Sequence, residues 1–146
     1  MRERTPTKVL IVDREGAAYG LLAGPLTRAG IELTRASSAA EAVALAQKGP
    51  QAVVINFTMR ERVGDQAFLR LRSDEAAQSI PIVFLIDPRH WGRRAHDAAA
   101  DALVPCPWAP QRVLSAIHRV VTGGPGLNPR GVRPPKREEV ARARRA

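Results

Sequence analysis

The amino-acid sequence predicts an α/β fold in which five parallel strands form a doubly wound sheet with five helices on its faces. Two observations carry this expectation. Short apolar runs at 7–13, 31–37, 52–56, 80–87 and 102–105 alternate with segments of helical spacing at 15–30, 38–49, 65–74, 90–100 and 109–121. Strands that alternate with helices need crossover connections, and right-handed crossovers place the strands in parallel with helices on both faces. The second observation is size. At 146 residues and 45% apolar content the chain can bury one real core and carry a short appendage. Five such units point to the flavodoxin-like strand order 2-1-3-4-5, whose ligand crevice lies above strands 1 and 3 at their carboxyl ends.

The elements follow in order. "TKVLIVD" (7–13) is a buried-strand run, and "EGAAYGLLAGPLTRAG" (15–30) repeats apolar residues at Ala18, Leu21, Leu22, Leu26 and Ala29 before Gly30 stops the helix. Pro25 is expected to kink it. "IELTRAS" (31–37) is more polar and suits an edge strand. "SAAEAVALAQKG" (38–49) opens with Ser38 and has Glu41 three residues on, a capping-box pattern. "AVVIN" (52–56) and "IPIVFLID" (80–87) are buried strands, with the short helix "DQAFLRLRSD" (65–74) between them. "HWGRRAHDAAA" (90–100) is a weakly patterned helix and "ALVP" (102–105) a short fifth strand. "APQRVLSAIHRVV" (109–121) closes the domain, with Pro110 in its first turn and Val113, Leu114, Ile117, Val120 and Val121 on one face.

Beyond that helix "TGGPGLNPRGVRPP" ends all periodicity. The domain is therefore read as 1–122, and 123–146 as a linker and basic tail. The tail holds seven basic residues (Arg130, Arg133, Lys136, Arg137, Arg142, Arg144 and Arg145) against two Glu, so +5 of the net +9 belongs to it. Such a run is a solvated disordered tail or a short basic helix for a polyanion, and any binding by it would depend strongly on salt. The charged N-terminus, turning straight into a strand, is no signal peptide. No apolar run reaches the ~20 residues of a membrane span. One cysteine excludes an internal disulfide framework and a multi-cysteine metal site. A cytoplasmic protein is expected, and the Ala, Gly, Pro and Arg content suggests a high-GC bacterial gene.

Function is expected at the crevice, where Asp13–Glu15 and Asn56–Met59 fall. Here the sequence resembles the receiver domain of bacterial response regulators (CheY-like) over about residues 7–121. "KVLIVDRE" is similar to the family's first strand. "AVVINFTMRERVGD" is similar to its third strand and loop, with Met59 and Gly64 in typical places. "SIPIVFLID" resembles its fourth strand, and "AADALVPCPWAPQRVLSAI" its fifth strand, Lys-Pro turn and last helix. The resemblance implies five chemical positions: two acids after strand 1, a phospho-accepting aspartate ending strand 3, a hydroxyl after strand 4 and a lysine after strand 5. Only Asp13 keeps its type. Arg14 stands at the second acid, Asn56 at the acceptor, Ile86 at the hydroxyl and Cys106 at the lysine, while Leu103 matches the aromatic switch.

The chemistry of these residue types agrees. Phosphoryl transfer to a side chain needs a carboxylate nucleophile and a cation over the developing charge, and an amide is no nucleophile. Magnesium wants hard anionic oxygens, and one aspartate beside an arginine is a poor site. The reading is a degenerate receiver with no catalytic residue, no metal and no cofactor. Asn56 also suits a plain strand end before a turn, and Arg14 either reaches toward Asp13 or points into solvent. Cys106 is expected as a packed thiol. The Cys106–Pro107 bond is expected cis, as the resemblance implies for Lys-Pro. Trp108 is expected to pack as the family's Phe does.

Two functions of different class follow. The first is a stand-alone protein–protein interaction module of a two-component or related pathway. It would act without phosphorylation and dock a signalling partner, or a second copy, through the fourth helix, fifth strand and fifth helix. Trp91, Arg93, Arg94, Leu103, Trp108 and Arg112 mark that face. The second is a nucleic-acid or small-ligand binder using the tail or the crevice. An enzyme is not expected: "DREGAAYG" lacks the G-x-G-x-x-G spacing of a phosphate loop.

Overall fold

The alternation of runs and helices resolves into one five-stranded parallel sheet. A computed structural model describes residues 6–57, 63–87 and 101–123. Thr7–Val12 (β1), Ile31–Ala36 (β2), Ala52–Asn56 (β3), Ile82–Ile86 (β4) and Ala102–Pro105 (β5) lie in the order β2-β1-β3-β4-β5. Ala17–Arg28 (α1), Ala39–Ala46 (α2), Val63–Ser73 (α3) and Pro110–Thr122 (α4) cover it. The helix expected over 90–100 lies outside the described residues, so the described helices number four where five were expected.

Burial explains the order. Every residue of β3 and β4 is buried, as a strand covered on both faces requires, whereas β2 alternates and sits at an edge. Side chains point to opposite faces in turn. Leu10, Val12, Val53, Ile55, Ile82, Phe84 and Ile86 therefore pack under α2 and α3. Val9, Ile11, Val54, Val83, Leu85 and Val104 pack under α1 and α4. Phe84 anchors the first layer, tilted against Phe57 at 4.3 Å between ring centroids and edge-on to Phe68 at 5.2 Å.

Local signals behave as expected with two adjustments. α1 is continuous through Pro25, and Ala18, Leu22 and Leu26 of this helix are buried, so packing on the sheet outweighs the proline's local cost. The Ser38 hydroxyl accepts from the Glu41 amide at 3.1 Å, but the Glu41 carboxylate accepts from the Ser37 amide at 2.8 Å, one residue before the N-cap. Gly64 shows why α3 starts with a small residue. A Cβ there would lie 3.1 Å from the Asn56 carbonyl oxygen and 3.3 Å from side-chain atoms of both Ile55 and Phe57. Gly64→Ala is expected to cost about 1–3 kcal/mol in denaturant melts, because the helix must lift off the end of β3. A loss under about 0.5 kcal/mol would show that α3 yields freely.

At the amino-terminal end of the sheet lies a feature that no motif announced. Arg72, at the end of α3, is 5% exposed and Asp101, just before β5, is 8% exposed. Their Nη2–Oδ2 distance is 2.8 Å. Arg72 Nη1 also donates to the carbonyls of Gln78 at 3.0 Å and Ile80 at 2.8 Å, and Asp101 Oδ2 accepts from the Ile82 amide at 2.8 Å. Burial pushes the guanidinium pKa below its ordinary value, against which the Asp101 charge and hydrogen bond push upward. The pair ties α3, β4 and β5 together far from the crevice.

Candidate functional site

The register brings the strand ends level: Val12 lies beside Ala36 and Ile55, Asn56 beside Leu85, and Ile86 beside Pro105. Asp13 and Asn56 thus arrive at the same edge of the sheet, 0% and 4% exposed. A buried carboxylate is costly unless its oxygens find donors, and both oxygens of Asp13 do. Oδ2 accepts from the backbone amide of Tyr19 at 2.8 Å, and Oδ1 accepts from Asn56 Nδ2 at 3.2 Å. Asp13 is therefore an acceptor for the first turn of α1, whose N-cap Gly16 has no side chain to offer. Its negative charge also suits that helix end. Asn56 answers its role as a donor: an aspartate at 56 would present oxygen to oxygen.

The loop carrying Asp13 is pinned from β2. Arg35 Nε donates to the Asp13 carbonyl at 2.8 Å and Nη2 to the Arg14 carbonyl at 2.7 Å. Arg35 and Tyr19 were not among the site residues read from the sequence. A polar edge strand gave no sign of which exposed side chain reaches across to the loop after β1, and Tyr19 acts through its backbone. The Arg14 side chain is exposed, and the two Asp13 oxygens are met by the Tyr19 amide and Asn56.

The other crevice positions are apolar or turned away. Ile86 is 3% exposed and packs into the layer under α2 and α3. The Cys106–Pro107 bond is cis, as expected. Cys106 itself is exposed, which corrects the expectation of a packed thiol. Its amide still donates to the Ile86 carbonyl at 2.8 Å, but β5 has ended at Pro105 and no described element covers the side chain. Trp108 is half-buried against the layer under α1 and α4, with Nε1 donating to the Ile86 carbonyl at 3.4 Å.

For the magnesium that the resemblance to receiver domains implies, the described residues offer a poor donor set. Its one buried carboxylate at this end of the sheet has both oxygens engaged by N–H donors, and its neighbours are an amide and an isoleucine. Among the described residues no group of three or more His, Cys, Asp and Glu side chains comes together.

A second concavity lies along β5 and α4, a groove of about 490 Å³ lined in part by Leu103, Arg112 and Arg119. Leu103 and Arg112 of the expected partner face line it, but Trp108 does not. Trp91, Arg93 and Arg94, and the tail residues from Arg130 to Arg145, lie outside the described residues. Arg119 was missed, because its place on the helix reads as an ordinary solvated position. Among the described residues no helix is long and apolar enough to cross a membrane.

With this geometry in view, solved structures similar to the chain define the class of fold. A response regulator from Desulfuromonas acetoxidans is 23% identical with a TM-score of 0.67, over 79% of this chain and 96% of that one. The chemotaxis response regulator CheY4 of Vibrio cholerae is 24% identical with a TM-score of 0.66, over 80% and 99%. The receiver domain of sensor histidine kinase PA1611 from Pseudomonas aeruginosa, which holds magnesium in its active-site cleft, is 18% identical with a TM-score of 0.70, over 80% and 98%. No family model and no curated protein matches the chain. The fold is that of response-regulator receiver domains.

Proposed function

We propose that this chain is an atypical stand-alone receiver-like signalling protein that acts without aspartyl phosphorylation. It serves as a protein–protein interaction module in a bacterial two-component or related regulatory pathway, and it is not an enzyme. One observation carries the reading: the Asn56 amide donates to the buried Asp13 carboxylate at 3.2 Å. In a phosphorylatable pocket three carboxylates meet and a cation relieves their repulsion; here the oxygens of the buried Asp13 are met by N–H donors instead. Signalling then rests on shape, and the groove beside β5 and α4 is the surface that a partner reads.

The test is incubation of the full chain with acetyl phosphate and magnesium, followed by intact-mass measurement. No phosphoryl adduct is expected, and millimolar magnesium is expected to leave the melting temperature unchanged, since a ligand of the folded state alone would raise it. Asn56→Asp is expected to remain unmodified as well, because Arg14, Ile86 and Cys106 stand where phosphoryl transfer needs a second acid for the cation, a hydroxyl and a lysine. A stoichiometric, hydroxylamine-sensitive adduct in the 56–62 loop of the unaltered chain overturns the proposal. Deleting 123–146 separates the second class of function: loss of cellular activity would transfer the role to the basic tail.

A further inference from the structure

We infer that the groove between β5 and α4 takes an acidic segment of a partner protein, two of whose carboxylates pair with Arg112 and Arg119. The inference rests on the interaction-module reading and adds the chemistry of the partner. Arg112 and Arg119 both line the groove, both are exposed, and neither guanidinium has a hydrogen bond or ion pair among the described residues. Among the described residues no acidic side chain lines the groove, and α4 contains none anywhere along its length. Two uncompensated guanidinium forks on one concave surface are a receptor for carboxylates, whose two oxygens match the fork.

The spacing narrows the ligand further. Residues seven apart on a helix are two turns apart on one face, about 10 Å along the axis. An extended peptide turns every second side chain to the same face, and four residues cover about 13 Å, so acids at positions i and i+4 reach both cations through the long arginine side chains. Between the cations the lining is mainly apolar, with Leu103, Val104, Pro105 and Ala116 beside the hydroxyl of Ser115, which suits one apolar side chain placed between the two acids. β5 is an edge strand, but Pro105 has no amide hydrogen to offer an added strand. Recognition therefore falls to side chains in the groove. The chain's own tail is excluded as occupant by sign: it begins directly after α4 and carries seven basic residues against two acidic ones. An apolar floor favours a peptide over a nucleic-acid backbone, which offers phosphates and no side chain for it.

The test displays short random peptides to the full chain and measures the enriched sequences by fluorescence polarisation. Enriched peptides are expected to carry Asp or Glu four residues apart with an apolar residue midway between them. Their affinity is expected to fall about tenfold or more for the Arg112→Gln/Arg119→Gln chain, further for Arg112→Glu/Arg119→Glu, and to weaken with salt. The double Gln chain keeps two exposed polar side chains, so an unchanged melting temperature separates lost binding from lost fold. Enrichment of apolar peptides without acids, or binding indifferent to both double variants, overturns the acidic partner and leaves the interaction module standing. Failure to enrich any peptide overturns it too. So does single-stranded oligothymidylate binding that depends on Arg112 and Arg119, which would turn the groove over to nucleic acid. The phosphoryl-mass experiment tests the underlying reading separately.

Discussion

Asp101→Asn is expected to destabilise the protein by about 3–5 kcal/mol, the cost of leaving a buried charge without its partner. The asparagine side-chain oxygen can still accept from the Ile82 amide, so the loss isolates the charge of the pair. Arg72 is 5% exposed and would keep only the Gln78 and Ile80 carbonyls. Arg72→Leu is expected to lose a similar amount, since it strands the Asp101 carboxylate and removes the two carbonyl contacts at 3.0 and 2.8 Å. The combined variant is expected to lose at least about 1 kcal/mol less than the sum of the two, because removing both members also removes the desolvation cost of the survivor. Urea melts of the four proteins decide it. Strict additivity would mean that the two side chains stabilise the fold independently and that the pair is incidental.

Asn56→Asp is expected to cost about 2–4 kcal/mol at pH 7, despite changing a single atom type. The substitution turns the donor that sits 3.2 Å from Asp13 Oδ1 into a second carboxylate oxygen. Two such groups cannot both stay charged in a buried pocket, so one holds a proton in the folded state above the ordinary carboxylate pKa of about 4. The sign follows: the folded variant then binds more protons than the unfolded chain, so its stability falls as pH rises through that raised value. The deficit relative to the unaltered protein is thus full at neutral pH, shrinks on acidification, and is smallest near pH 4. Parallel melts from pH 4 to pH 7 measure it. A deficit that does not change with pH would show that water enters the pocket and screens the pair.

The two variants probe opposite ends of the sheet, and they differ in what the sequence disclosed. Residue 56 was visible as an anomaly, an amide at the end of a wholly apolar strand, and its position above the crevice followed from strand alternation. Arg72 and Asp101 were invisible: Arg72 sits in an ordinary charged stretch, Asp101 stands alone among alanines, and they pair across 29 residues of chain. Periodicity reports which face of an element is apolar. It does not report that a cation on the apolar side has been matched by an anion from a distant strand.

The sequence by itself determined the five strands, their order and the two-layer core, because buried runs and helical spacing are properties of neighbouring residues. It also showed an amide at residue 56, where the resemblance to receiver domains implies a phospho-accepting acid. Only the tertiary structure decided what Asp13 does. Asp13 satisfies the Tyr19 amide and receives Asn56, and Arg35 reaches over from β2 to hold the loop. It also decided that Cys106 is exposed and that Arg112 and Arg119 share one groove. The physical reason is the same in each case: a hydrogen bond or an exposed face depends on which distant segments meet, and that is set by register and packing across the whole sheet.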